Sequence, residues 1–231
     1  MEIDIVILAN TSDLAHYGMT CRAITSLNYS NTNNNIGKIV VVESVEYDKI
    51  KSDGYHYGFP RCSTIHPEQK FNYNQFLNIG ISECSSDWLL LCNNDIKFHH
   101  SWLDHMTTAV GFHPEILSFS PKTPSWHLHM DLPNSGILEG YQVSKHICGW
   151  CILVHRSVIE KCELFDEQFE FWYQDNDYAM TLQSKGIRHA LVCDSIVDHV
   201  VSGSHDLLGD RNIELTHLQQ EKFNKKWNPH L

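Results

Sequence analysis

A chain of 231 residues that is 42% hydrophobic and 11% aromatic, with only 7 Pro and 12 Gly, has room for one large α/β domain or two small ones, and is neither fibrous nor disordered in composition. A net charge of −11 and a pI near 5.7 argue against a broad phosphate-neutralising surface of the kind duplex DNA demands, and leave only a short basic strip at Lys222, Lys225 and Lys226. No run approaches the roughly 18 uninterrupted apolar residues of a membrane-spanning helix, and Met1-Glu2-Ile3-Asp4 lacks the basic start and cleavage site of a secretory signal, so a cytoplasmic location is expected.

Ile3 to Ala9 is a near-continuous apolar run stopped by Asn10-Thr11-Ser12-Asp13, the pattern of a central parallel strand. Ser12 or Asp13 can cap a helix running to about Leu27. Asn28 to Asn35 reads as a polar turn, and Ile36 to Val42 as a second buried strand ending at Glu43. Residues 44–70 are irregular, with room for one short strand. Phe71 to Cys84 has helical spacing, and Trp88 to Cys92 is a third buried strand stopped by Asn93-Asn94-Asp95. A helix over Ser101 to Phe112 and a strand over Ile116 to Ser120 follow. This β-α-β-α-β alternation implies an α/β fold with a mostly parallel central sheet flanked by helices.

The second half is patterned differently. Residues 121–145 are loop-rich, with Pro121, Pro124 and Pro133, and an apolar strand spans Ile147 to Val154. A mixed segment reaches Tyr173, and a helix runs from Asp175 to Lys185, stopped by Gly186. Strands at Arg188–Cys193 and Ile196–Val201 close the sheet, and Ile213 to Trp227 forms a peripheral helix. No repeat or linker divides the chain. It reads as one domain, with residues 1–120 forming a nucleotide half and residues 121–231 an acceptor half with a helical tail.

Ligands of open parallel sheets bind beyond the carboxyl ends of the strands. Three such ends are polar here: Asn10-Thr11, Glu43 and Asn93-Asn94-Asp95. The last presents hard oxygen donors suited to Mg²⁺ or Mn²⁺, and suits an Asx turn equally well. Asp175 and Asp177 open a helix, where carboxylates commonly serve only as dipole partners. Asp175 also follows Phe169, Phe171, Trp172 and Tyr173, and a carboxylate among rings gains the basicity that a general base needs. His199 ends the last strand, as a ligand or as a structural histidine.

In order, these pieces resemble the family 2 glycosyltransferases of GT-A (Rossmann-like) fold: Ile3–Ala9, Ile39–Glu43, Asn74 with Asn78, Leu89–Asp95, Cys148-Gly149-Trp150, Phe165-Asp166-Glu167, Gln174-Asp175-Asn176-Asp177, His199 and the Lys226-Trp227 ending. The resemblance implies a metal-dependent, inverting transfer of a hexosyl or pentosyl group from a nucleoside-diphosphate sugar to an acceptor hydroxyl. It implies Mn²⁺ or Mg²⁺ on Asp95 with His199 as second ligand, and Asp175 as the base. The donor is then expected against Ala9, Asn10, Thr11, Glu43, Asn74, Asn78, Asn93 and Asn94, and the acceptor against Gly149, Trp150, Trp172 and Asp177. Core packing is an equal alternative for Trp150. Gln174 departs from the family's usual Glu, and Asn93 from its first Asp.

The acceptor itself is open: a glycan, a lipid-linked sugar or, in a phage-type enzyme, a hydroxymethylated DNA base, for which Trp126, Trp150 or Trp172 would supply an aromatic pocket. A non-catalytic sugar-binding module is a reading of another class, and a sugar-phosphate nucleotidyltransferase would need a glycine-rich loop that Asn10–Asp13 lacks. Cys148-Gly149-Trp150-Cys151 has Cys-x-x-Cys spacing, and His146 and His155 flank it. It runs into a strand, however, where alternation separates its members, and redox and zinc chemistry are not expected. The eight cysteines read instead as small buried hydrophobes in a reducing compartment.

Overall fold

The computed structural model describes residues 1–30, 36–200 and 210–228. In chain order the elements are β1 (Ile3–Ala9), α1 (Leu14–Ser30), β2 (Ile36–Glu43), α2 (Tyr47–Ser52), β3 (Cys62–Ile65), α3 (Tyr73–Ser82), β4 (Trp88–Asn93), β5 (Ile96–Phe98) and α4 (Trp102–Phe112). Then come β6 (Ser118–Lys122), α5 (Pro124–His127), β7 (Ile137–Glu139), β8 (Cys151–His155), α6 (Arg156–Cys162), α7 (Gln174–Ser184), β9 (His189–His199) and α8 (Asp210–Trp227).

The strands form one sheet in the order β3-β2-β1-β4-β8-β6-β9-β5, with β7 also on β9. Every residue of β1 is buried because the strand has neighbours on both edges and helices on both faces. Its side chains alternate between the two cores. Ile3, Ile5 and Ile7 join Ile24 and Leu27 of α1 and Trp102, Leu103 and Met106 of α4. Val6 and Leu8 join Phe76, Leu77 and Ile81 of α3, with Val158 of α6 and Leu182 of α7. This is the period-two division that the strand dictates. Gly80 lets α3 lie directly on the sheet, since a β-carbon there would come within 2.3 Å of a Val6 methyl.

The base of the sheet is tied by Asp4. Its buried carboxylate accepts the backbone N–H groups of Lys38 at 2.7 Å and of Ser85 and Ser86 at 2.8 Å each. Burial alone would raise its pKa, but these hydrogen bonds outweigh it and hold the group below the usual carboxylate value.

Most of the paired residues in the sheet are parallel, as expected, and antiparallel pairs join its second half. Strands β3, β2, β1 and β4 are parallel, as are β6 and β9. The pairs β4–β8, β6–β8, β5–β9 and β7–β9 are antiparallel. The chain from β6 to β8 passes through the four-residue α5 and the hairpin-like β7, with no long crossover helix, and strands joined that way run antiparallel. The differences from expectation are local. The apolar run at 147–154 becomes strand only from Cys151, because Cys148 and Cys151 close a turn. The expected strands at 188–193 and 196–201 are one strand whose register on β6 jumps between Val192 and Ile196. Val201 lies outside the described residues, as does most of the turn expected at Asn28 to Asn35, of which residues 28–30 extend α1.

That register jump matters for the site. The first part of β9 pairs with β6 and β7, and its last residues pair with β5, setting His199 opposite Ile96 and therefore beside Asp95. No helix of the described residues is long and apolar enough to cross a membrane.

Candidate active site

The buried strand β4 carries Asn93, Asn94 and Asp95 to the carboxyl edge of the sheet. Asn93 donates its backbone N–H to the Trp150 carbonyl at 3.0 Å, and its side-chain oxygen accepts the Tyr73 hydroxyl at 3.0 Å. Asn94 donates its amide to Thr20 Oγ1 at 2.9 Å. Both amides are therefore engaged within the protein, whereas they were expected against the donor. Asp95 lies 3.2 Å from His199, Oδ1 to Nε2, with only 8% and 13% of their side chains exposed. The Asp95 carbonyl accepts the Val200 N–H at 2.9 Å, which closes the strand ladder behind the pair.

His199 is one member of a ring cluster. It lies 4.9 Å from Trp150 at an interplanar angle of 9°, and Trp126 sits 5.0 Å from Trp150 and 6.1 Å from His199. Trp150 is buried and its indole N–H donates to Thr123 Oγ1 at 3.0 Å, so its orientation is fixed. Trp126, on α5, is 41% exposed and forms the solvent side of the cluster.

Next to Trp150, Gly149 packs against Asp175: a β-carbon built on Gly149 would lie 2.8 Å from the Asp175 Cβ. Asp175 lies in the first turn of α7 and accepts the Asn176 N–H at 2.8 Å. Burial raises its pKa above the ordinary carboxylate value, with the Asn176 N–H opposing the shift. It borders a narrow crevice lined by Tyr73, Asn74, Gly149, Phe165 and Gln174. The α7 helix begins from Tyr173 at φ 64°, a left-handed conformation uncommon for a tyrosine.

Tyr73 joins the two sides. Its hydroxyl donates to Asn93 Oδ1 and reaches the Gly149 carbonyl at 3.2 Å. Burial raises its pKa, and the negative charges of Asp175 and Asp95 add to that. A run of direct contacts thus leads from Asp95 through His199, Trp150 and Gly149 to Asp175, with Tyr73 spanning it. Sequence reasoning missed Tyr73, which carried no signal beyond its place at a helix start.

At the end of β1, Ala9 is buried, Asn10 is exposed and Thr11 is buried. Glu43 was expected to line a nucleoside pocket. It is fully buried instead, accepting the N–H groups of Thr11 at 2.9 Å and Val45 at 3.0 Å and the Tyr57 hydroxyl at 3.1 Å. Its carboxylate is consumed in bracing the β1 and β2 turns, because those backbone donors have no strand partner there. Tyr57, which also bonds Thr11 Oγ1, stacks on Tyr17, and Tyr17 stacks on Tyr55. The aromatic surface beside this turn comes from a stretch that the sequence marked only as irregular.

Three more of the expected site residues have partners within the protein. Asn78 donates to the Phe165 carbonyl at 2.9 Å and to Glu167 at 3.0 Å, and accepts the Phe165 N–H at 3.0 Å. Asn74 donates to the Asp166 carbonyl at 2.8 Å. Both asparagines hold the Phe165-Asp166-Glu167 turn on α3. Asp177, expected against the acceptor, is buried beneath α8, where it accepts the Trp227 indole N–H at 2.7 Å and pairs with Lys226 at 2.8 Å. Trp172 is half-buried and meets Phe171 edge-on at 5.0 Å.

The cysteine-rich stretch is structural. Cys148 and Cys151 are buried, and burial pushes both thiols above their ordinary pKa. Cys151 pairs with Cys92 across the sheet, His155 caps α6 and the His146 ring lies against Gly140. Among the described residues no three His, Cys, Asp or Glu side chains gather around one metal-sized space.

Against this geometry stand the comparisons with known proteins. The structure of GalNAc-T7 with UDP, GalNAc and Mn²⁺ matches 86% of this chain and 44% of its own, with a TM-score of 0.69 at 12% identity. A mannosyltransferase from Pyrobaculum calidifontis, PcManGT, in complex with GDP-Man and Mn²⁺, matches 88% of this chain and 58% of its own, with a TM-score of 0.62 at 12% identity. The chain has the GT-A fold. No family model matches the sequence. It is 24% identical over 204 residues to the O-antigen biosynthesis protein RfbC of Myxococcus xanthus, an alignment covering 74% of this chain and 16% of that protein. The GT-A unit described here therefore spans a small part of RfbC and about half of the two solved chains.

Proposed function

We propose that the chain is a divalent-metal-dependent glycosyltransferase that moves a sugar from a nucleoside-diphosphate sugar to an acceptor hydroxyl with inversion at the anomeric carbon. The observation carrying this reading is the contact path from the Asp95–His199 pair through Trp150 and Gly149 to Asp175. It supports the reading because Asp95, His199 and Asp175 are joined by contacts in a fold of which two solved examples hold UDP or GDP-Man together with Mn²⁺.

One hard carboxylate oxygen and one imidazole nitrogen within 3.2 Å of each other are a donor set that Mn²⁺ or Mg²⁺ accepts. Asp95 and His199 would hold the ion, and the donor's diphosphate would complete its binding. When bound, the ion supplies charge compensation for the departing nucleoside diphosphate.

The protein's own groups do the rest. His199 is held flat against Trp150, so its ring presents Nε2 toward Asp95 without needing to reorganise. Asp175, made more basic by burial, takes the acceptor proton as the oxygen attacks. A single base acting in one displacement implies inversion. The absence of a side chain at Gly149 lets Asp175 pack directly against the turn before β8, and the half-exposed Trp126 offers the acceptor a flat apolar face. The donor is assigned to the half at 1–120 and the acceptor to the half at 121–231.

The DNA-base acceptor loses ground to a glycan or lipid-linked sugar. Lys222 pairs with Glu170, and Lys226 with Asp166 and Asp177, so two of the three lysines of the basic strip are neutralised internally. A thermal-shift panel of nucleotide sugars with Mn²⁺, followed by turnover of any donor that stabilises the protein, tests the proposal. The absence of both donor stabilisation and turnover, or oligosaccharide binding indifferent to both metal and nucleotide, would overturn it; the latter is the signature of a sugar-binding module.

A further inference from the structure

The helix α8 presents one face to the segment that leads into α7. Gln219, Lys222, Phe223, Lys226 and Trp227 follow the spacing of a single helix side. Gln219 is buried and accepts the Glu170 N–H at 3.1 Å, while Lys222 donates to the Gln168 carbonyl at 2.9 Å. The Phe223 ring lies 5.3 Å from Tyr173 and 6.5 Å from Phe169. Lys226 reaches Asp166 at 2.7 Å and Asp177 at 2.8 Å, 5.5 Å above the Phe169 ring, and Trp227 donates to the same Asp177 oxygen at 2.7 Å.

These contacts bracket Asp175. Tyr173 and Asp177 are its neighbours at two residues on either side, and the Asp177 N–H donates to the Tyr173 carbonyl at 2.8 Å. The helix start has no side-chain cap of its own, and Tyr173 sits in a left-handed conformation that needs external support. The support comes from α8, through Phe223 on one residue and Lys226 with Trp227 on the other. A helix start without a cap, at a strained residue, and with a buried carboxylate gripped from another element is over-determined from outside.

We infer that Lys226 and Trp227 are positioning residues for Asp175: through Asp177 they hold the first turn of α7, so that α8 sets the place of the carboxylate without touching substrate. This rests on the reading of Asp175 as the base. It gives Asp177 the role of a strut, and it accounts for the Lys-Trp pair near the end of the described chain.

The test uses the full chain and four variants: Trp227→Phe, which keeps the ring and removes the N–H; Lys226→Met; Lys226→Arg, as rescue; and the exposed Lys225→Ala, as control. Hydrogen exchange is followed in peptides covering 166–177 and in peptides covering β1 and β4. Turnover is measured with UDP-GalNAc or GDP-mannose and Mn²⁺. Trp227→Phe and Lys226→Met are expected to speed exchange in 166–177 about tenfold or more while sparing β1 and β4. They should also lower kcat by roughly 10- to 100-fold at nearly constant donor KM, the cost of a misplaced group. Lys226→Arg should recover most of the loss, and Lys225→Ala should match the wild type. Unchanged exchange at 166–177 in Trp227→Phe, or faster exchange spread evenly over the sheet, overturns the inference, as does a change confined to KM. If Lys226→Met fails to fold, Trp227→Phe decides alone. If the wild type turns over neither sugar, the functional reading suffers while exchange still judges the clamp.

Discussion

Gly149 and Asp175 are in such close packing that a β-carbon on the glycine would lie 2.8 Å from the Cβ and 3.1 Å from Oδ2 of the aspartate. The strand-side turn before β8 and the first turn of α7 therefore share one space, and whatever stands at 149 sets where the carboxylate points. Gly149→Ala must displace Asp175 by some tenths of an ångström. We expect kcat to fall about tenfold with donor affinity retained, since small misplacement of a reacting group is costly. Donor titration alongside turnover checks this, and a loss of donor binding instead would move Asp175 out of the catalytic role.

Asp175→Asn removes the proton acceptor while keeping the shape and the bond from the Asn176 N–H. Turnover should drop by about 10²- to 10⁴-fold, the usual contribution of a general base. Donor-induced thermal stabilisation should survive.

The raised pKa of Asp175 has a second consequence. A native carboxyl that holds its proton more tightly than the unfolded chain stabilises the fold at low pH. That contribution is lost as pH rises from the ordinary value of 3.8 through the higher native one. At neutral pH the ionised, buried group is a net cost, so Asp175→Asn should melt at the same temperature as the wild type or above it. Activity should fall on the acid side as the carboxylate is protonated, at a pH above the ordinary carboxylate range. Melting curves of the two proteins from pH 3 to pH 8 and a pH profile of kcat test both statements.

Removing the metal with EDTA should abolish transfer, and Mn²⁺ should restore it at least as well as Mg²⁺. His199→Ala should weaken Mn²⁺ affinity in the presence of UDP or GDP by at least the roughly 10- to 100-fold seen when even an outer partner of a metal site is lost. Because His199 stacks on Trp150 and lies near Trp126, Mn²⁺ binding should quench tryptophan fluorescence, and His199→Ala should shift that titration. Full activity in chelator would contradict the assignment of Asp95 and His199.

Asp4 tests the fold independently of function. Its carboxylate accepts three backbone N–H groups and its pKa is lowered, so it contributes stability above the ordinary value of 3.8, and loses it as pH falls through the lower native value. Asp4→Asn should cost about 1–3 kcal/mol at neutral pH, the scale of hydrogen bonds to a charged group. The penalty should vanish in strong acid. Urea unfolding of both proteins at pH 7 and at a series of falling pH values into strong acid measures the difference.

Local patterning was enough to write down much of the architecture. The apolar runs at Ile3–Ala9, Ile36–Glu43 and Trp88–Asn93, and the helices around Phe76, Met106 and Leu182, are legible because period and capping act between residues a few positions apart. The residues brought to the rim of the sheet, Asp95, Gly149, Trp150, Asp175 and His199, could be named from the same order of motifs. What partners each of them, and which of the others are free for a ligand, is a matter of pairing between distant segments. The antiparallel return of β8, the register jump in β9 that sets His199 beside Asp95, the use of Glu43, Asn78 and Asp177 as internal braces, and the neutralisation of Lys222 and Lys226 all depend on contacts more than thirty residues apart. Those contacts are chosen by which buried donor or charge most needs a partner once the layers have packed. No short-range pattern encodes that need.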